Sequence, residues 1–102
     1  MSQVTICRGR DITGQLQWAM YKSKALVINA DYIKFMLGGG TTKLILSIRD
    51  NMMIKCLRAG RNVVLIGEFK DIEQIERIDE ILEVQGRIDG KKYPYHVKDF
   101  ND

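Results

Sequence analysis

Short segments in which every second residue is apolar, separated by tight turns, constrain the fold of this chain more than any other feature. Two such segments flank Asp50-Asn51, and two more flank Asp89-Gly90. An Asp-Gly pair in this setting is typical of a β-hairpin, because both central residues of a type I′ turn need a positive φ. Segments joined by connections this short can pair only antiparallel. The pattern therefore predicts an antiparallel sheet.

One segment departs from this alternation. Ile72, Ile75 and Leu82 recur at helical spacing among acidic residues, which predicts an amphipathic helix that Asp71 can cap. Residues 14–21 are ambiguous, because their apolar side chains fit both a helical and an alternating pattern, although a glycine and two aromatic residues favour a strand. The predicted strands are residues 4–8, 14–21, 25–36, 43–49, 52–56, 63–69, 82–88 and 93–97.

Together these elements predict a mainly β domain of the α+β class that spans residues 1–102. We expect a small antiparallel barrel or roll, similar to an oligonucleotide-binding (OB) barrel, with one amphipathic helix near residues 71–81. The candidate strands outnumber those of such a barrel, so residues 1–24 are expected to extend the sheet at its N-terminal side. A half-open roll packed on the helix is the alternative. Pro94 has no N–H, which predicts that the last strand lies at an edge.

Composition restricts the class of protein. The 102 residues suffice for one small domain, and a content of 45% hydrophobic and 28% charged residues argues against disorder. No apolar run reaches the ~18 residues of a membrane span, and the first ten residues lack the apolar centre of a secretory signal. We therefore expect a cytoplasmic protein. Cys7 and Cys56 stand far apart and His96 is the single histidine, so we expect no metal and no cofactor.

Charge is distributed unevenly along the chain. Residues 1–62 contain ten basic and three acidic residues, a net charge of +7, whereas residues 63–102 contain six basic and ten acidic residues, a net charge of −4. Such an asymmetry can steer an anionic partner towards the basic side. Alternatively, spaced lysines and arginines keep exposed strands soluble and prevent edge-to-edge pairing.

Motifs that carry catalysis are missing from the sequence. The chain contains no GxSxG, no HExxH and no GxxxxGK[ST]. Residues 38–40 are glycines followed by Thr41, Thr42 and Lys43, but the spacing does not fit a phosphate-binding loop, and we expect a flexible connection. His96 lies on the predicted outward face of the last strand. The sequence therefore predicts a protein that is not an enzyme.

Basic residues interleaved with aromatic ones favour nucleic-acid binding instead. A positive groove follows the phosphates of a single strand, and aromatic faces stack on its bases. This hypothesis depends on the cations of the N-terminal portion collecting on one exposed side of a curled sheet. We assign Phe35, Phe69 and Tyr95 to the core. The candidate nucleic-acid-binding residues are Trp18, Tyr21, Lys22, Lys24, Tyr32, Lys34, Lys91, Lys92 and Tyr93.

The alternative hypothesis is a protein-interaction or oligomerising module. An open strand edge can accept a strand from an acidic or basic protein partner or from a second copy of the chain. The acidic face of the predicted helix is either a docking surface or simply solvated. An accessory or inhibitory factor of a mobile element is one form of this hypothesis. The acidic residues on that face are Glu73, Glu76, Asp79, Glu80 and Glu83.

Overall fold

A four-stranded sheet, parallel throughout, forms the centre of the protein, with the strands in the order β2-β3-β1-β4. The structure is a computed structural model and describes residues 2–100. More than half of these residues lie in helices. The elements are β1 Val4–Arg8, α1 Ile12–Tyr21, β2 Leu26–Asn29, α2 Ala30–Leu37, α3 Thr42–Arg58, β3 Val63–Ile66, α4 Ile72–Asp89 and β4 Tyr95–Asp99.

Helices cover both faces of the sheet, as a parallel sheet requires. On one face Val4, Ile6 and Leu65 pack against α3 and α4 in the larger core. On the other face Cys7 and Val64 pack against α1 in a smaller core. Because successive side chains of a strand point to opposite faces, the short strands contribute to both cores. No helix within residues 2–100 is both long and apolar enough to cross a membrane.

The predicted antiparallel barrel or roll of OB type is wrong. Its central hairpin, residues 43–56, lies within the single helix α3. The buried residues Ile45, Arg49, Met53 and Leu57 are spaced by four, which is the repeat of a helix face. The alternation of apolar residues in this segment is coincidental, since Leu44 is half exposed. Without this hairpin the strands are joined by helices, and they pair parallel.

The second predicted hairpin is also wrong. Helix α4 continues past residue 82 to Asp89, and Gly90 ends it in the left-handed conformation at φ 65°. A type I′ turn and a helix C-terminus both need a positive φ at this point, so the same Asp-Gly pair fits either structure. The return segment forms β4, which pairs parallel with β1 and lies at an edge of the sheet, as Pro94 predicts.

Two other segments differ from their predicted strands. Residues 14–21 belong to helix α1, and only the first part of residues 25–36 is a strand. The Asn29 side chain accepts a hydrogen bond from the Asp31 N–H (2.9 Å) and so starts helix α2 within the segment predicted as a strand. The prediction for β1 is confirmed, and the first four residues of the predicted strand 63–69 form β3. Helix α4 starts directly after Asp71, as predicted, but the Asp71 side chain makes no capping hydrogen bond. Strand β1 lies inside the sheet, between β3 and β4.

Candidate functional site

The amino ends of all four strands lie side by side along one edge of the sheet, which we call the amino edge. Backbone hydrogen bonds hold them in register there. The Leu26 N–H donates to the Asn62 carbonyl (2.9 Å), and the Val4 N–H donates to the Pro94 carbonyl (3.0 Å). The residues that immediately precede β2, β3 and β4 are thereby brought together, although they are far apart in the sequence.

Cations stand just before three of the four strands. Lys24 precedes β2 by two residues, Arg61 precedes β3 by two, and Lys92 precedes β4 by three. Lys22 and Lys91 lie close to them in the chain, and all five side chains are exposed. None of the five takes part in an ion pair within residues 2–100. We call these five residues the cation row. Strands lie ~4.8 Å apart, so the row extends over ~14 Å.

An acidic side chain near the row is already neutralised. The Arg58 guanidinium donates two hydrogen bonds to the Asp89 carboxylate (3.0 and 3.1 Å), and the Tyr93 hydroxyl donates a third (2.8 Å). The Arg58 hydrogen bond, more than any other contact, lowers the pKa of Asp89 to about 2. Asp89 therefore stays ionised and paired, and it does not compensate the charges of the cation row.

Helices α1, α3 and α4 end near the amino edge, since each leads into the start of a strand. The carboxyl end of a helix carries a partial negative charge, which nearby lysines and arginines stabilise. The helix ends therefore explain why some basic residues lie at this edge, even if no ligand binds there. Each such contact contributes only ~0.3–1 kcal/mol at an exposed site, so the row remains available to a partner.

The aromatic side chains predicted to bind nucleic acid occupy different environments. Tyr21 is 80% exposed and lies beside Lys22 at the amino edge. Tyr93 is buried, and its hydroxyl donates a hydrogen bond to Asp89. Trp18 is half-buried against Phe100, at 6.1 Å between ring centroids. Of the three, Tyr21 offers a free ring face at this edge.

Tyr32 and Lys34 lie on α2, which follows the carboxyl end of β2 and thus starts at the opposite edge of the sheet. The Tyr32 ring lies beside Phe35, at 6.3 Å between centroids. The assignment of Phe35 to the core is wrong, because its side chain is 81% exposed, whereas the assignment of Phe69 is confirmed. The structure therefore separates this pair of predicted residues from the cation row.

A cleft of about 370 Å³ lies at the carboxyl ends of β2 and β3, where open α/β sheets usually bind ligands. Its charged lining is mainly acidic. Asp31, Glu68 and Asp71 face two cations, of which Lys70 is paired with Glu68 (3.1 Å). The second cation is the buried Arg49. This lining is unsuited to a polyanion.

Arg49 is buried, and its charge is already compensated. Its Nε and Nη2 atoms donate to the Asp50 carboxylate (3.1 and 2.9 Å), which also accepts a hydrogen bond from Arg77 (3.3 Å). The guanidinium lies 5.7 Å from the centroid of the Phe69 ring. The contact between Arg77 and Asp50 joins α4 to α3, and the buried pair of Arg49 with Asp50 leaves Arg49 little capacity for a ligand.

Two further observations concern sites expected from the sequence. His96 is exposed, as expected, and its ring lies within hydrogen-bond distance of the Thr5 hydroxyl (3.2 Å). Within residues 2–100 no three His, Cys, Asp or Glu side chains are grouped closely enough to hold a metal ion. Arg61 is not among the residues predicted from the sequence, because only the strand order places it between the two lysine pairs.

Comparison with known proteins identifies the fold. No family model matches this chain, and no curated protein matches it in sequence. A chain in a solved structure of a Pnkp1/Rnl/Hen1 complex is similar in structure, with a TM-score of 0.77 over 97% of this chain at 15% sequence identity. This chain spans 35% of the length of that chain. The similarity therefore shows a shared parallel α/β fold.

Proposed function

We propose that this domain binds single-stranded nucleic acid without catalysing a reaction, and that the cation row is the interface. The observation that carries the proposal is the convergence of five exposed, unpaired cations from three separate segments at one edge of the sheet. Each lysine or arginine that neutralises a phosphate releases condensed counterions, which favours binding. The row thus supplies sequence-independent affinity.

The exposed ring of Tyr21 favours a single strand over a duplex. An unpaired base can stack on a free aromatic face and contributes ~1–3 kcal/mol, whereas the bases of a duplex are already stacked on each other. Tyr21 adjoins Lys22, so that a phosphate and its neighbouring base can be bound together.

The parallel topology, and not a curled sheet, brings residues 22–24, 61 and 91–92 to the same edge. The carboxyl edge is the alternative location, and its carboxylates disfavour phosphates. The similar chain belongs to a solved complex of several proteins, so a domain of this fold occurs within an assembly.

A salt titration of oligonucleotide binding tests the proposal. The probe is a fluorescently labelled oligothymidylate, followed by anisotropy, with duplex DNA and RNA as competitors. If all five cations contact phosphates of a single strand, the slope of log K against log salt is about −3.5, and removing two of them brings it to about −2. The variants are the double substitutions Lys22→Ala with Lys24→Ala and Lys91→Ala with Lys92→Ala.

The matched control is Lys34→Ala with Lys43→Ala. It removes the same charge from exposed residues of α2 and α3 that lie outside the row. We expect the control to bind as the wild type does and all variants to keep their melting temperature. If the control loses as much affinity as the two row variants, binding depends on net charge alone and the interface is misplaced.

A second candidate function is self-association through α2. Four large apolar side chains on this eight-residue helix are more than half exposed: Tyr32, Phe35, Met36 and Leu37. Exposed apolar patches of this kind commonly mark interaction surfaces. Sedimentation over a wide range of protein concentration tests it. We expect Phe35→Asp to abolish any oligomer, and a wild-type protein that stays monomeric throughout would exclude this function.

A further inference from the structure

The connection between β1 and α1 has the glycine spacing of a phosphate-binding loop. Gly9 and Gly14 are separated by four residues, as in GxxxxGK[ST], and the segment joins an inner strand of a parallel sheet to a helix, as in that motif. Gln15 stands where the motif has lysine, and Leu16 stands where it has serine or threonine. The groups that would contact the phosphates and the magnesium ion are therefore absent.

Three backbone amides of the segment, those of Ile12, Gly14 and Gln15, already have partners. In a phosphate-binding loop, free N–H groups surround the anion. Here the helix begins at Ile12, and only three residues separate it from β1. The Ile12 N–H donates to the Arg10 carbonyl (2.8 Å). The Gln15 N–H donates to the Asp11 carbonyl (3.0 Å). The Gly14 N–H donates to Asp11 Oδ1 (2.9 Å).

Asp11 places a carboxylate where the motif would bind an anion. Its oxygen caps the positive end of α1, which favours negative charge. The carboxylate lies so close to Gly14 that a Cβ atom at this position would collide with it. In the phosphate-binding motif a glycine at this position lets the ligand come close to the backbone. Here Gly14 lets the Asp11 side chain come close instead.

Gln15 closes the crevice between β1 and β3. From β1 the chain crosses to β2 on one side, and from β3 it crosses to β4 on the other side. Open α/β sheets bind ligands in the crevice between two neighbouring strands whose connections diverge in this way. The Gln15 side chain is fully buried. Its Nε2 atom donates to the carbonyls of Gly9 (3.1 Å) and Gly67 (2.9 Å), and its Oε1 atom accepts from the Gly67 N–H (3.0 Å). No hydrogen-bonding group of this side chain remains for a ligand.

We infer that the segment is a closed phosphate loop. The Asp11 carboxylate takes the place of a phosphate and Gln15 seals the crevice behind it, so that the domain excludes nucleoside triphosphates from this position. Asp11 and Gln15 are thus the residues that determine which ligands this edge of the sheet can accept. The inference is independent of the cation row, which lies at the opposite edge.

Anion-dependent stability tests this inference. We would measure the melting temperature of the wild type, Asp11→Ala and Asp11→Ser in increasing pyrophosphate, with sodium chloride at matched ionic strength as the reference. Asp11→Ser keeps an oxygen that can cap α1, so it remains informative if Asp11→Ala does not fold. Circular dichroism verifies the fold of each variant. Pyrophosphate bound at the cation row shifts the melting temperature of the wild type and of every variant equally. The difference in this shift between a variant and the wild type therefore reports binding at the loop.

We expect both variants to gain a saturable rise of about 5 °C over the wild type at ten times the dissociation constant. The matched control is Glu80→Ala, which removes an exposed carboxylate from α4, outside this cleft. It should show no such gain. The inference is overturned if the folded Asp11 variants gain nothing over the wild type, or if Glu80→Ala gains as much. Wild-type protein that binds ATP with magnesium in a manner abolished by Asp11→Ala would also overturn it.

Discussion

Replacing Gln15 with leucine tests whether its buried amide joins the carboxyl ends of β1 and β3. Leucine is similar in size, so the substitution leaves little empty space, but it removes every hydrogen bond of the side chain. Three backbone groups then lose a partner, namely the carbonyl of Gly9 and both the carbonyl and the N–H of Gly67. The expected effect is therefore a loss of polar pairing rather than a loss of packing.

The magnitude follows from these three groups. A buried polar group without a partner costs ~1–3 kcal/mol. Gly9 and Gly67 are half-buried, so water can partly replace the amide, and the lower value applies to each group. We expect the free energy of unfolding to fall by about 3 kcal/mol. With an m-value of ~1.5 kcal/mol per molar urea, the midpoint of unfolding shifts by about 2 M.

Urea denaturation followed by far-UV circular dichroism measures this shift. The control is Gln17→Leu, which changes an exposed glutamine on the same helix and should alter stability by no more than ~0.5 kcal/mol. An unchanged midpoint for Gln15→Leu, at an unchanged m-value, would refute the argument that this side chain closes the crevice.

Two further predictions concern the end of α4. Gly90→Val should lower the free energy of unfolding by more than ~1 kcal/mol, since a β-branched residue resists the φ of 65° and no neighbouring atom offsets the strain; equal urea midpoints for variant and wild type would contradict this. Asp89→Asn should remove the part of the pH dependence of stability that comes from ionised Asp89. The pKa of Asp89 is lowered to about 2, chiefly by Arg58, so its contribution is complete above about pH 4 and is lost as the pH falls through 2. As the pH falls from 4.5 to 2, the melting temperatures of the wild type and Asp89→Asn should therefore converge. A difference in melting temperature that stays constant over this range would count against the ion pair.

The sequence predicts the strands better than the helices, and buried polar residues explain why. The face of α3 that packs on the sheet includes Arg49 and Asp50, which form an ion pair with each other. Their charges interrupt the apolar stripe that reveals a helix, while Leu44 and Leu46 happen to alternate with polar neighbours. In α1 the fully buried residue is Gln15, which obscures the helical repeat in the same way. A buried polar residue of this kind can be recognised only when the groups that it hydrogen-bonds in the folded protein are known.

The candidate site is predictable in part. Lys22, Lys24, Lys91 and Lys92 are recognisable from local sequence, because they adjoin aromatic residues. Arg61 is not, since only the parallel order of the strands places it between the two lysine pairs. Tyr93 is buried, and its hydroxyl pairs with Asp89 across the end of α4, a contact that sequence spacing does not reveal.

Helix α2 has one fully buried side chain, that of Ile33, and besides it the small, partly buried Ala30 packs against the larger core. Eight residues with one large anchoring side chain form a unit whose detachment exposes little additional apolar surface and releases backbone entropy. This element should therefore open and close many times before the sheet unfolds, and its amides should exchange with solvent at a rate set by that local event. A molecule that captures α2 in its detached form would do so at little cost to the remainder of the domain.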